Sequence, residues 1–320
     1  MSHNNRGMPE SECAEVIVGI DIGGTGTRIL AMTPERDVLA RLTVNTPKTL
    51  SGRTATAFLA GHIQEVVEGH RPVAIGIGAS GPIDSTGTIQ NPDTVPGFTG
   101  VPLCAELTDI FGIPVSIGND AVCAAVAEHN IGAGRGYASL LHVTLGTGIG
   151  AAFLMDGVPV RSGDGQHPES GHISVPGVTN PCYCGRNSCW EQAASRQVIQ
   201  RAASHALGLT ATDHSAIGKL AALAQDGDSR AINVFNDYGE RIASGLSTLL
   251  AIHRPRAVAL GGSGAEHFAF FHDSLSRSLS VLGDWISSPV LLKTELDDYG
   301  GAIGSAIVAQ QKVASARFSA

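Results

Sequence analysis

Val16-Ile17-Val18-Gly19-Ile20-Asp21-Ile22-Gly23-Gly24-Thr25-Gly26-Thr27 is an apolar run of strand length that ends on an aspartate and a glycine-rich turn. A short buried run rich in β-branched residues predicts a strand, and the glycines predict a tight turn. Ile29 to Thr33 resumes the strand pattern beyond the glycines, so the turn closes a hairpin. Outward from it, Val38 to Val44 continues the meander and Ala55 to Glu68 has the periodicity of an amphipathic helix. Val73 to Ile77 is a further apolar strand before Gly78-Ala79-Ser80-Gly81-Pro82, which makes the order β-β-β-α-β. A helix over Cys104 to Phe111 and a strand over Val115 to Ile117 follow, and Asn119-Asp120 opens an alanine-rich helix through Glu128.

The plan then repeats. A strand over Leu140 to Val143 runs into Leu145-Gly146-Thr147-Gly148-Ile149-Gly150, a strand over Ala151 to Met155 follows, and Asp156-Gly157 turns the chain again. Two similar strand-turn-strand units predict an internal duplication. Residues 160–192 are loop-rich, 193–253 are helical by periodicity, and Ala257 to Leu260 is a strand entering Gly261-Gly262-Ser263-Gly264. A helix near Phe268 to Leu282, a strand over Val290 to Lys293 and a terminal helix over 301–314 complete the pattern.

A chain of 320 residues exceeds the usual size of a single core. The expected division is a disordered tail at 1–14, a small α/β lobe at 15–120 joined by a C-terminal helix at 301–320, and a large α/β lobe at 121–300. The net charge is −8 and the 21 basic residues are scattered, which argues against nucleic-acid or anionic-membrane partners and for a small-molecule ligand. Forty glycines beside 5% aromatic residues describe many tight turns and close backbone approaches. The polar start lacks the apolar core of a secretory signal and no run approaches membrane-spanning length, so a cytoplasmic protein is expected. Cys13, Cys104 and Cys123 lie singly, whereas Cys182, Cys184 and Cys189 cluster; in a reducing compartment such a cluster reads as metal ligation before disulfide.

Each of the glycine loops 21–27, 145–150 and 260–264 follows a buried strand, where backbone N–H groups can converge on an anion. One such loop alone is more often an ordinary turn. Three in one chain, two of them in repeated hairpins, point to nucleotide phosphates. Neither a Walker A pattern nor a G-x-G-x-x-G entering a helix is present, so the phosphates are expected between two lobes, gripped by a hairpin from each. Asp120 has two readings, a cap for the helix that follows it or a carboxylate placed to take a hydroxyl proton.

Asp21-Ile-Gly-Gly-Thr-Gly-Thr-Arg28, Gly118-Asn119-Asp120-Ala121, Gly146-Thr-Gly-Ile-Gly150, Glu169-Ser-Gly-His172 and Cys182-Tyr-Cys-Gly-Arg-Asn-Ser-Cys-Trp-Glu191 together resemble the ROK family of sugar kinases and related repressors. The likeness runs in the family's order from about residue 16 to 310. It implies a two-lobed actin-like (ribonuclease H-like) α/β ATPase fold with an interlobe cleft, and an enzyme using ATP and Mg²⁺. By this resemblance Asp21, Gly23, Gly24, Thr25, Thr27 and Arg28, with Gly146, Thr147 and Gly148, serve the phosphates and the magnesium. Gly261 and Gly262 lie near the adenosine, and Asp120 becomes the general base. Phosphoryl transfer runs mainly on alignment and charge stabilisation, so a cradle, a metal and one orienting carboxylate suffice.

Cys182, Cys184 and Cys189 supply three thiolates, and a closed tetrahedral zinc site needs a fourth ligand. His172 and His167 are the candidates, and the resemblance selects His172 because it closes the Glu-x-Gly-His element. A redox reading of Cys182-x-Cys184 is weaker, since the third cysteine and the histidine complete a zinc set. Four protein ligands leave no open position, so this Zn²⁺ would be structural and would brace residues 172–189. The resemblance then implies a sugar pocket of Asn119, Asp120, Glu169, His172 and Glu191, with Gly81 and Asn91 at its border. Carboxylates suit hydroxyl recognition because each accepts two strong hydrogen bonds. Without the motifs, either glutamate reads as a solvated surface charge.

Two departures bear on the acceptor. Ser188 stands where the family commonly has a second glycine, and His167-Pro168-Glu169 is similar to the fructokinase branch, while the Cys-x-Cys-Gly segment looks like the glucokinase and N-acetylhexosamine branches. Glucose phosphorylated at its 6-hydroxyl is the first expectation, with fructose, N-acetylglucosamine, N-acetylmannosamine or a sugar-like cyclitol as alternatives. A sugar-responsive transcriptional regulator of the same fold is the rival from another class; it would carry a helix-turn-helix where this sequence has about fourteen polar residues. A non-catalytic sugar binder has no use for three phosphate loops. The resemblance also implies a homodimer or homotetramer.

Overall fold

The computed structural model describes residues 13–164, 166–281, 283, 286 and 288–318. The tail expected at 1–14 lies outside them apart from Cys13 and Ala14, as does Leu282, the expected end of one helix. The chain forms two compact units, the first running up to Gly118 and taking in the residues from Ser305 onward, the second covering Asn119–Gly304.

In the first unit the chain builds β1 (Glu15–Ile22), β2 (Gly26–Met32), β3 (Val38–Asn45), α1 (Arg53–Val66), β4 (Arg71–Ala79), α2 (Leu103–Phe111) and β5 (Val115–Asn119), the last residue of which is counted with the second unit. The sheet order is β3-β2-β1-β4-β5, with β1 antiparallel to β2 and parallel to β4. The hairpin register pairs Ile20 with Ile29 and Asp21 with Arg28, which leaves residues 23–25 as the turn. β1 is buried along nearly its whole length rather than in alternation, as a central strand covered on both faces must be. Val16, Val18, Ile20, Ile22, Ile29, Leu59, Ile63, Ile75 and Ile77 form its core. The last helix, α9 (Gly300–Phe318), closes against it, with the Ser305 hydroxyl accepting the Ile20 amide at 3.0 Å.

The second unit contains α3 (Asp120–Ile131), β6 (Ser139–Leu145), β7 (Ile149–Met155), β8 (Val158–Pro159), α4 (Trp190–Ala194), α5 (Arg196–Leu207), α6 (Ala216–Gln225), α7 (Ser229–His253), β9 (Ala257–Gly261), α8 (Phe268–Ser280) and β10 (Val290–Lys293). Its sheet runs β10-β9-β6-β7-β8, with β6 antiparallel to β7 and parallel to β9. Strand for strand this is the order of the first sheet, so the repeat seen in sequence recurs in space. Leu141, Val143 and Leu145 of β6 pack with Trp190, Phe235, Tyr238, Ile242, Leu246 and Phe271.

The structure differs from expectation at several element ends. α3 runs past Glu128 to Ile131, its last turn closed by the Gly132 amide donating to the Glu128 carbonyl at 3.1 Å, and the buried Glu128 carboxylate accepts the Ala133 amide at 2.8 Å beyond the helix end. Asn119 and Asp120 fall in the second unit, not at the end of the first, since the helix they open packs on β6 and β7. No helix among the described residues is long and apolar enough to cross a membrane.

Candidate functional site

In the first unit, the turn of the β1–β2 hairpin is held by the Gly23 amide donating to the Gly26 carbonyl at 3.1 Å. The Thr46 hydroxyl donates to the Gly23 carbonyl at 2.6 Å and pairs with the Thr27 hydroxyl at 2.9 Å, and the Thr46 amide donates to the Thr25 carbonyl at 3.2 Å. Arg28 Nη1 lies 3.9 Å from Asp21 Oδ2 across the strands. Gly24 packs so closely on Thr94 that a Cβ there would sit 2.8 Å from its methyl. The Thr94 amide donates to Asn91 Oδ1 at 3.2 Å, and Asn91 Nδ2 donates to the Ser80 carbonyl at 3.1 Å, beside Gly81. The structure thus brings Gly24 and Asn91 together at Thr94, with Gly81 packed on the Asn91 side chain. Thr46 and Thr94 carried no signal in the sequence, since a threonine beyond a strand and one in a loop follow no spacing rule.

In the second unit, Asn119 rather than Asp120 caps α3: its Oδ1 accepts the amides of Ala121 at 2.8 Å and Val122 at 3.3 Å. Asp120 is the first helical residue, where the helix dipole favours a negative charge. Its Oδ1 also accepts the Ala121 amide at 2.8 Å, which orients the carboxyl group.

The turn between β6 and β7 is the hub of this unit. Gly146 donates to the Gly148 carbonyl at 3.0 Å, closing a tight loop around Thr147. A Cβ on Gly148 would lie 2.6 Å from Glu191 Oε2, and one on Gly150 would lie 3.1 Å from the Ala121 methyl beside Asp120. Gly262, at φ +76°, lies against the Leu145 backbone, and the Arg196 amide donates to the Gly146 carbonyl at 2.9 Å. Gly171, in the short turn Ser170–His172, abuts the Ile149 carbonyl. One glycine turn therefore touches the helix of Asp120, the buried Glu191, the Glu169–His172 turn and the third loop at Gly262 and Gly264. A cavity of about 520 Å³ opens beside that third loop, lined by Arg196, His214, Lys219, Ser263, Glu266 and His267 among others.

Cys182, Cys184, Cys189 and His172 lie together, with one donor atom of each within 4.8 Å of the others. Cys184 Sγ is 3.4 Å from Cys189 Sγ, and Cys182 Sγ is 3.6 Å from His172 Nδ1. With metal–ligand bonds of about 2.3 Å to sulfur and about 2.0 Å to nitrogen, a tetrahedral zinc needs donor separations of about 3.5 to 3.8 Å, so this donor set fits one. Burial pushes the Cys182 thiol up to about 12, so its thiolate form needs a cation beside it. His167 stands apart from this set; its Nε2 lies 3.8 Å from Glu169 Oε1. Local pairing brings the ligands together: Ser174 bridges Cys189, the Cys182 amide donates to the Arg186 carbonyl at 2.7 Å, and the Trp190 amide donates to the Ile173 carbonyl at 2.9 Å.

Glu191 sits at this junction, its Oε1 accepting from Cys182 Sγ at 3.0 Å and lying 3.6 Å from His172 Nδ1. Glu169 is more open to solvent. Tyr183, to which the sequence reading gave no role, has its hydroxyl 3.0 Å from His172 Nε2. Its only signal was its place between two cysteines at metal-ligand spacing.

The sequence profile of the ROK family matches residues 17–312. The chain is 27% identical over 311 residues to a glucokinase of Streptomyces coelicolor, covering 92% of this chain and 97% of the relative. Among solved structures it is similar to a ROK hexokinase from Thermus thermophilus, with a TM-score of 0.79, 30% identity, and coverage of 94% of this chain and 99% of that one. A ROK family glucokinase from Streptomyces griseus, solved with glucose and AMPPNP, superposes with a TM-score of 0.77 at 28% identity, covering 92% of this chain and 99% of that one. The fold is that of the actin-like ATPases, and the chain belongs to the ROK family.

Proposed function

We infer that this chain is an ATP-dependent sugar kinase that transfers the γ-phosphate to a hydroxyl of a hexose or hexose-like acceptor, with Asp120 as general base. The observation that carries this reading is the Leu145–Gly150 turn, packed at once on the Asp120 helix, on Glu191 and on the third glycine loop. Such a junction is what phosphoryl transfer requires, because donor phosphates and acceptor hydroxyl must be held within bonding distance of each other. Further support comes from the likeness to a glucokinase that binds glucose and a nucleotide analogue.

In this reading Asn119, Glu169, His172 and Glu191 hold the acceptor, Gly81 and Asn91 border it, and Asp120 accepts the proton of the attacking hydroxyl. The hydroxyl oxygen then forms its bond to the γ-phosphorus as the bond to the β,γ-bridging oxygen breaks and ADP leaves. Amides of Gly146, Thr147 and Gly148 serve the phosphates, and the first hairpin keeps the phosphate role assigned above to Asp21, Gly23, Gly24, Thr25, Thr27 and Arg28. The cavity beside Gly262 is of a size to take a nucleoside. Mg²⁺, when bound with ATP, neutralises phosphate charge. His172, Cys182, Cys184 and Cys189 would hold a structural zinc whose part is to stiffen the floor of the acceptor site. Glucose and its 6-hydroxyl are the first expectation, and a cytoplasmic homodimer or homotetramer is the expected state.

Coupled ADP release across a panel of hexoses, N-acetylhexosamines and cyclitols tests the reading, with Asp120→Asn beside the parent chain. Loss of the base is expected to lower turnover by about 10²- to 10⁴-fold with the circular dichroism spectrum unchanged. A variant that turns over nearly as fast removes Asp120 from its role, and a parent chain that phosphorylates none of the panel ends the kinase reading.

A further inference from the structure

Tyr183 sits between two of the clustered cysteines with 81% of its surface exposed, so packing does not hold its ring in place. What holds it is His172: the hydroxyl is 3.0 Å from Nε2, and the rings meet edge to face at 5.1 Å and 85°. The other nitrogen of that ring is turned inward, 3.6 Å from both Cys182 Sγ and Glu191 Oε1. Nε2 is therefore the one polar atom by which His172 can meet an incoming ligand. Arg186 Nη1 donates to the His172 carbonyl at 3.2 Å, which fixes the backbone beneath the ring.

We propose that the Tyr183 hydroxyl is a built-in stand-in for an acceptor hydroxyl: it occupies His172 Nε2 and must be displaced when the sugar binds, so Tyr183 sets acceptor affinity. The inference rests on the kinase reading above, and it names a residue to which that reading gave no part. A phenol and a sugar alcohol each present a hydroxyl that can pair with a ring nitrogen, so they compete for the same Nε2. An exposed side chain swings away on the nanosecond scale, so displacement costs affinity rather than catalytic rate.

The test compares the zinc-loaded parent with Tyr183→Phe, which removes only the hydroxyl, and Tyr183→Gly, which removes the ring. The readouts are acceptor KM and kcat by coupled ADP release, the acceptor Kd by calorimetry without nucleotide, and bound zinc. Both variants are expected to lower KM and Kd by about three- to tenfold, the worth of one net hydrogen bond, with the change in KM rather than kcat and zinc content equal to the parent's. An unchanged or higher Kd in Tyr183→Phe overturns the proposal, as does a loss of zinc, which would make the tyrosine a brace of the metal loop. If the parent itself binds and phosphorylates no acceptor, the kinase reading fails and takes this inference with it; a working parent beside an unimproved Phe variant sinks the inference alone.

Discussion

His142 lies in the middle of β6, 2% exposed, with its Nδ1 lacking any hydrogen-bond partner among the described residues. Desolvation lowers its pKa from 6.5 to about 4, so the folded chain holds the ring neutral at pH values where the unfolded chain protonates it. Between these values the unfolded state binds more protons, and stability must rise with pH. The contribution is intact above 6.5, falls as the pH drops through that value, and levels off near 4, with a total of about 3 kcal/mol at 1.36 kcal/mol per pKa unit. At pH 4.5 the loss relative to pH 7.5 amounts to about 2 to 3 kcal/mol. Replacing the ring by His142→Leu, of similar volume, removes this dependence and leaves other titrating groups in place, including the lowered His167, His253 and His267. The assay is urea denaturation of both proteins at pH 7.5 and 4.5, followed by tryptophan fluorescence; Trp190 is buried in the second unit, which also holds His142. The stability gap between variant and parent is expected to shift by about 2 to 3 kcal/mol in the variant's favour on acidification. A shift below about 0.5 kcal/mol would refute the reasoning, because it would mean the folded chain accommodates the charged ring.

Cys184→Ser is expected to lower bound zinc from about one per chain to near none and to reduce thermal stability, as loss of one thiolate from a closed site does; metal analysis of the purified parent showing no zinc would remove the site. Gly245→Ala drives a Cβ to 2.2 Å from the buried Trp190 indole and is expected to cost about 1 to 3 kcal/mol in urea denaturation, as overpacking does. Glu128→Gln keeps the shape of a buried side chain whose oxygens accept the amides of Ala133, Glu295 and Leu296, but turns one end into a donor facing donors. A loss of about 1 to 3 kcal/mol is expected, and an unchanged denaturation midpoint would show those amides find other acceptors.

Much of the architecture was legible because its signals are local. The run from Val16 to Thr27 carries its own strand pattern and turn glycines, and the hairpin it predicts is the one found, with Asp21 opposite Arg28. The repeat likewise showed in two glycine turns and reappears as two sheets of one strand order. What the sequence hid depends on contacts between distant residues. The division of the chain before Asn119 is set by α3 packing on β6 and β7, and no composition shift marks it. Asn119 and Asp120 both suit a helix cap, and only backbone geometry gives that task to Asn119. His167 and His172 are alike in sequence as partners for the cysteines; the fold of the 172–191 segment decides which of them the cysteines meet.

Gly148 is where the backbone assigned to donor phosphates meets the carboxylate assigned to the acceptor, with no side chain between them. Two ligands that lean on the same few atoms do not bind independently. Under the proposed roles, any settling of Glu191 around an acceptor would reach the amides of the turn directly, and the influence would run equally in the other direction. On those assignments, coupling between the two substrates would pass through the one position where a methyl group is missing, with no need for a relay through the rest of the protein.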